Sequence, residues 1–178
     1  MAVLEIVRMG HPVLRQAARA LLDDEIGGRD IAELVGDMVE TLHASSGIGL
    51  AAPQVNRSIQ LAVIEIVESA SRYGEIDTLP LTIFVNPSIT LLSEETAGHW
   101  EGCLSIPAIR GFVERPQHIE VSYQDLCGKA HNMVLEGFLA TVMQHEFDHL
   151  AGTLFIDRVK DTRLLSFEEE YLTYQTQP

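Results

Sequence analysis

The chain has 178 residues, enough for one domain that buries roughly 70% of its unfolded surface and needs no disulfide to build a core. Twelve basic against 26 acidic side chains give a formal charge of −14, which repels phosphate backbones at long range and argues against direct nucleic-acid specificity. No apolar run approaches the roughly 20 residues of a membrane span, and the N-terminal MAVLEIVRMGHPVL lacks a basic leader, so free thiols at Cys103 and Cys127 in a reducing cytoplasm are expected. Residues 1–178 read as one domain with a short acidic tail from about 160 to 178.

Ile31, Leu34, Val35, Met38 and Leu42 recur at helical spacing, and Asp30 with Glu33 resembles a capping box, which predicts an amphipathic helix over 30–44. It should end before Ser45-Ser46-Gly47-Ile48-Gly49, where glycines permit unusual backbone angles or close approach of a ligand. The aliphatic, β-branched stretches 59–66 and 81–92, punctuated by Pro80 or Pro87, predict strands, with a surface loop over 68–79 between them. Alternation from His118 to Tyr123, a turn through Asp125–Lys129 and a return over 130–135 predict a hairpin. After Glu136-Gly137 the period becomes helical. Phe138, Val142, His145 and His149 share one stripe of a helix over 137–151, and Gly152 suits its C-cap. This helix is apolar nearly all round, so it should be buried. Strands grouped between two helices indicate an α+β fold: antiparallel or mixed strands around a central C-terminal helix, plus an N-terminal helix.

That central helix carries the chemistry. Gln144-His145-Glu146-Phe147-Asp148-His149-Leu150 contains His-Glu-x-x-His, which places two imidazoles four residues apart on one face with a carboxylate beside them. Two histidines leave a catalytic metal one protein ligand short. Downstream candidates are Asp157, Asp161 and Glu168-Glu169-Glu170, and none follows a metzincin-type turn pattern. Upstream, Trp100-Glu101-Gly102-Cys103-Leu104-Ser105 offers a thiol in a turn, and thiolate suits zinc or ferrous iron.

Together, Gly47-Ile48-Gly49-Leu50-Ala51-Ala52-Pro53-Gln54, Glu101-Gly102-Cys103-Leu104-Ser105 and Gln144-His145-Glu146-Phe147-Asp148-His149-Leu150 resemble, in order and spacing, the three motifs of peptide deformylases. The likeness runs from Val7-Arg8-Met9-Gly10 to Gly152-Thr153-Leu154-Phe155-Ile156-Asp157. It implies removal of the N-formyl group from formyl-methionine at the start of new polypeptides, with release of formate. It further implies one divalent metal ion, usually Fe2+ with Zn2+, Ni2+ or Co2+ as alternatives, bound by Cys103, His145 and His149. Glu146 would be general base and then acid, and the Gln54 amide and Leu104 N–H would stabilise the oxyanion. Gly47, Ile48 and Gly49 would line the substrate cleft. Ile48, Phe138 and Val142 could form the methionine pocket; Glu101 and Arg110 are expected among the substrate-binding residues, and Glu101 could pair with Arg115 or Arg110 to hold the cysteine loop. Many family members end in a basic helix linked to ribosome docking. Here the tail is acidic and short, which argues against ribosome contact through it.

Ordinary roles account for the rest. His11, His43, His118 and His131 read as surface or capping residues, as does His99, although it lies close before the cysteine loop. Cys127 reads as an exposed hairpin thiol and Trp100 as a packing anchor. Two other readings are a His-Glu-x-x-His peptidase, which needs an acidic or histidine third ligand, and a metal-binding or nascent-chain-binding module without turnover. A structural zinc site has no use for Glu146.

Overall fold

The structure, a computed structural model, describes residues 2–67 and 78–175. Helix α1 (Arg29–Ser45) buries Ile31, Leu34, Val35, Met38 and Leu42 on one stripe. Its start differs from the expected capping box. Gly28 is the N-cap and makes no side-chain cap bond, while Glu33 accepts a 2.7 Å hydrogen bond from Arg29, which is already helical. At its end Ser46, at φ 54, adopts the left-handed conformation, whereas neither Gly47 nor Gly49 has a positive φ. The glycines serve close approach instead.

Five strands, β1 (Gly49–Ala51), β2 (Leu61–Ile66), β3 (Leu79–Leu91), β6 (His118–Gln124) and β7 (Ala130–Glu136), form an antiparallel sheet in the order β1-β2-β3-β6-β7. Ile59 lies outside β2, in a parallel bridge to Arg19, and Leu79 and Pro80 belong to β3. The remainder of the expected 68–79 loop falls largely outside the described residues. Pro87 sits where the β3–β6 register shifts between Val85 and Ser88, a position that tolerates a missing N–H. β2 is covered on both faces: Ala62, Ile64 and Ile66 join the core under the second helix, Leu61 and Val63 the core under α1. Its unbroken aliphatic run reflects that double burial.

A second sheet was not foreseen. β4 (Thr96–Cys103), β5 (Ile106–Pro116) and β8 (Leu165–Phe167) pair antiparallel in the order β4-β5-β8. Glycines and Pro107 masked it as loop, yet three glycines make room for side chains: Gly98 and Gly102 for Phe112 and Arg110 from the neighbouring strand, and Gly111 for Phe155 and Val159, which pack against β5 from outside the sheet. A short helix, α3 (Glu168–Tyr174), follows β8, so the acidic tail folds back onto β5.

Helix α2 (Gly137–Leu150) packs against strands of the large sheet and against β5. Its C-terminus is a Schellman turn: Gly152 at φ +72 donates to His149 O at 3.2 Å and Thr153 N–H to Asp148 O at 2.9 Å.

Candidate metal centre

Two elements meet at one point. β4 delivers Cys103 at the tip of its hairpin with β5, and α2 presents His145 and His149 one turn apart. The thiol and the two imidazoles each offer one donor atom, all within 4.8 Å of one another, and Cys103 Sγ lies 3.2 Å from His149 Nε2. A tetrahedral ion with bonds of about 2.1–2.3 Å spans roughly 3.5 Å between ligands, and this donor set suits zinc or ferrous iron, so the residues fit such an ion. Asp157 and Asp161 are engaged elsewhere, with Arg15 and Arg163. Among the described residues no other His, Cys, Asp or Glu group of three lies close enough to hold a metal. The acidic third ligand that an endopeptidase of this motif requires is therefore not supplied by these downstream residues.

Behind the ligands stands a buried ion network. His145 Nδ1 lies 2.7 Å from Glu101 Oε2, and Arg115 grips Glu101 in two bonds, Nε to Oε1 at 2.5 Å and Nη2 to Oε2 at 3.0 Å. Arg115 Nη1 also donates to Asp148 Oδ2 at 2.9 Å, and Asp148 Oδ1 accepts from Arg158 Nη2 at 2.6 Å. Of the two arginines considered for Glu101, the fold selects Arg115, which is 4% exposed rather than solvated. Burial works to raise the Glu101 pKa, but the hydrogen bonds from His145 and Arg115 outweigh it and hold the carboxyl below its usual range. With Glu101 bound to Nδ1, His145 turns Nε2 to the cation site. Asp148 was missed as a support: its offset from His145 is readable on a helix, but a partner arriving from β5 is not.

Burial disfavours a charged His145, yet its bonds to Cys103 and Glu101 outweigh that and lift its pKa well above normal, which marks a site that attracts positive charge. Burial, aided by the charges of His145 and Arg115, pushes His149 well below, so it stays neutral, the form in which an imidazole can bind a cation. Glu146 is 5% exposed; burial raises its pKa to about 7, and its Oε2 meets no hydrogen-bond partner. Gly49 is what makes room for it, because a Cβ there would sit 2.5 Å from the Glu146 carboxyl carbon. Gln54 is pinned by the Ala51 N–H donating to its Oε1 at 2.8 Å, which aims its Nε2 at Cys103 Sγ, 3.6 Å away, and Ser105 Oγ, 3.3 Å away.

These groups open into a cavity of about 720 Å³ between the β1 edge and the β4–β5 hairpin. Every residue expected at the site lines it except His149, which lies deeper: Gly47, Ile48, Gly49, Gln54, Glu101, Cys103, Leu104, Arg110, Phe138, Val142, His145 and Glu146. Arg110 pairs with Glu168 of α3 rather than with Glu101. His99 also lines the cavity, edge-on to Phe138, but stands outside the ligand group. Trp100 packs between Phe112 and Tyr171. His11 caps Val13, and His43, His118 and His131 pair with Glu65, Glu136 and Asp125. Cys127 is exposed in the β6–β7 turn.

Known proteins resemble this chain over most of its length. The sequence profile of the polypeptide deformylase family matches residues 3–164. A peptide deformylase of Leptospira biflexa is 42% identical over 170 residues, covering 96% of this chain and 95% of the relative. Peptide deformylase 2 of a Nostoc species is 41% identical, covering 95% and 93%. Among solved structures, a class I type b peptide deformylase from Acinetobacter baumannii bound to Met-Ala-Ser superposes with a TM-score of 0.83 at 34% identity, covering 88% of this chain and 98% of that one. A Synechococcus elongatus peptide deformylase in complex with actinonin gives 0.78 at 37% identity, covering 89% and 79%. The chain belongs to the peptide deformylase family of metallohydrolases.

Proposed function

We propose that the protein removes the formyl group from N-formylmethionyl peptides, the starts of newly made polypeptides, and releases formate. Glu146 carries this reading: a buried carboxyl group beside three ligand side chains, with an oxygen that meets no protein donor and a pKa near neutrality, is poised to move a proton. A divalent cation held by Cys103, His145 and His149, which we take to be Fe2+ with Zn2+, Ni2+ or Co2+ as alternatives, acidifies a water and polarises a carbonyl when bound. Glu146 accepts the proton of the attacking water and passes it to the departing amine. The Gln54 amide and the Leu104 N–H donate to the formyl oxygen as charge gathers there, each contributing about 3 kcal/mol to the barrier reduction.

The substrate backbone lies along the β1 edge at Gly47–Gly49 as an added strand. Ile48, Phe138 and Val142 enclose the methionine side chain, and Arg110 meets the peptide at the cleft mouth. The Met-Ala-Ser peptide bound by the A. baumannii relative supports a peptide occupant. We place the reaction in the cytoplasm and assign any ribosome contact to surfaces other than the acidic tail.

The test is formate release from formyl-Met-Ala-Ser by anaerobically purified protein, with metal analysis on the same sample. We expect turnover with close to one metal per chain. Cys103→Ala should lose the metal and the activity together, whereas Glu146→Gln should keep the metal and lose about a thousandfold in kcat. Metal-loaded protein that releases no formate overturns the reading, and full activity in Glu146→Gln removes the proposed base.

A further inference from the structure

We propose that Glu168, in the acidic C-terminal segment, is a positioning residue for substrate binding: its carboxylate holds Arg110 at the cleft mouth, where the guanidinium meets the peptide beyond its first residue. This rests on the deformylation reading above.

The β5–β8 register sets Ile109 opposite Phe167 and Arg110 opposite Ser166, which brings the next turn of chain back over Arg110. Arg110 Nη2 then donates to Glu168 Oε1 at 2.5 Å, and the arginine side chain is only 15% exposed. It lies across Gly102: a Cβ there would come within 2.5 Å of Arg110 Nη1 and 2.8 Å of Cζ. Gly102 immediately precedes Cys103, so the guanidinium rests on the strand that carries the thiol ligand. Two residues earlier on β4, Trp100 takes the Tyr171 ring at 5.1 Å, a second anchor for α3. Glu168, Arg110, Trp100 and Gly102 all line the cavity that contains the metal ligands.

A partly exposed ion pair contributes little to stability, so its use must be sought elsewhere. A guanidinium is a rigid fork of donors on a flexible stem. Tying the stem down before the peptide arrives removes an ordering cost that binding would otherwise incur. An extended peptide advances roughly 3.3 Å per residue, so in this proposal its second and later residues are the ones that meet Arg110. The effect should therefore depend on substrate length.

The experiment compares formyl-methionine with formyl-Met-Ala-Ser on the metal-loaded parent, Glu168→Ala, Glu168→Gln and Arg110→Ala, with metal content measured throughout. In Glu168→Ala, KM for the tripeptide should rise about 3–10-fold with kcat within about twofold, and KM for formyl-methionine should change less. Glu168→Gln, whose amide oxygen still accepts, should fall between. In the Arg110→Ala background, removing Glu168 should add nothing. An unchanged tripeptide KM in Glu168→Ala, an equal rise for both substrates, or additive losses in the double variant overturns the positioning role. A metal-loaded parent that releases no formate from either substrate overturns the deformylation reading and this inference with it, whereas an active parent with unaltered variants overturns this inference alone.

Discussion

Glu146 shows at the scale of one residue how function is set against stability. Its pKa of about 7 lies above the ordinary carboxylic range, so the folded chain holds this proton more tightly than the unfolded chain does. The stability linked to the group is therefore complete below about pH 4.5 and is lost as pH rises toward 7. Gln cannot ionise. In chelator-treated protein, Glu146→Gln should be more stable than the parent at pH 8 by an amount on the order of 2 kcal/mol, with the gap closing by pH 5. Urea unfolding at the two pH values decides it, and a gap independent of pH would count against a buried, titrating Glu146. His145, Glu146 and His149 were readable as a group because their spacing on α2 is itself the geometry. Arg115 could be named only as one of two partners for Glu101, and its contact with Asp148 was not readable at all, since it joins two elements that only the tertiary fold brings together.

Among the elements, α1, α2 and the β6–β7 hairpin follow from periodicity, because each buries one continuous face. β4 and β5 escaped for a physical reason: where cross-strand side chains fill the space above glycines, alternation of apolar residues is not the signal of a strand. Gly49 invites a test at this scale. Its missing Cβ leaves space for a flexible side chain rather than for backbone, so Gly49→Ala should fold with little loss of stability but displace the Glu146 carboxyl. A shift near 1 Å costs about a hundredfold in rate, so kcat should drop by that order while Tm and metal content hold. Near-parent kcat would show that the carboxyl is not held where the structure places it.

Across the whole molecule, acid has two opposing effects. The surplus of negative charge, −14 in all, repels itself less as pH falls, which favours the folded chain. Glu101, held by Arg115 and His145, acts the other way. A carboxyl held below its usual pKa contributes stability that is present above about pH 4 and is lost as pH falls through its folded value. Salt screens the spread surface charge but hardly reaches a buried pair, so the Glu101 carboxyl should dominate at high ionic strength. We expect acid unfolding at 0.5 M salt (about a 4 Å screening length) to flatten in Glu101→Gln relative to the parent; identical acid limbs would assign the transition to other carboxylates. Cys103 belongs to the small sheet, while His145 and His149 ride on α2, so an ion shared by all three would tie the β4–β5 hairpin to that helix. Whatever binds only the folded chain stabilises it by mass action. Hydrogen exchange in the β4–β5 hairpin should accelerate on chelation more than in the core of β2. Starved of metal, this protein would lose more than turnover: its hairpin would loosen, and proteases would find there the seam that the ion had kept shut.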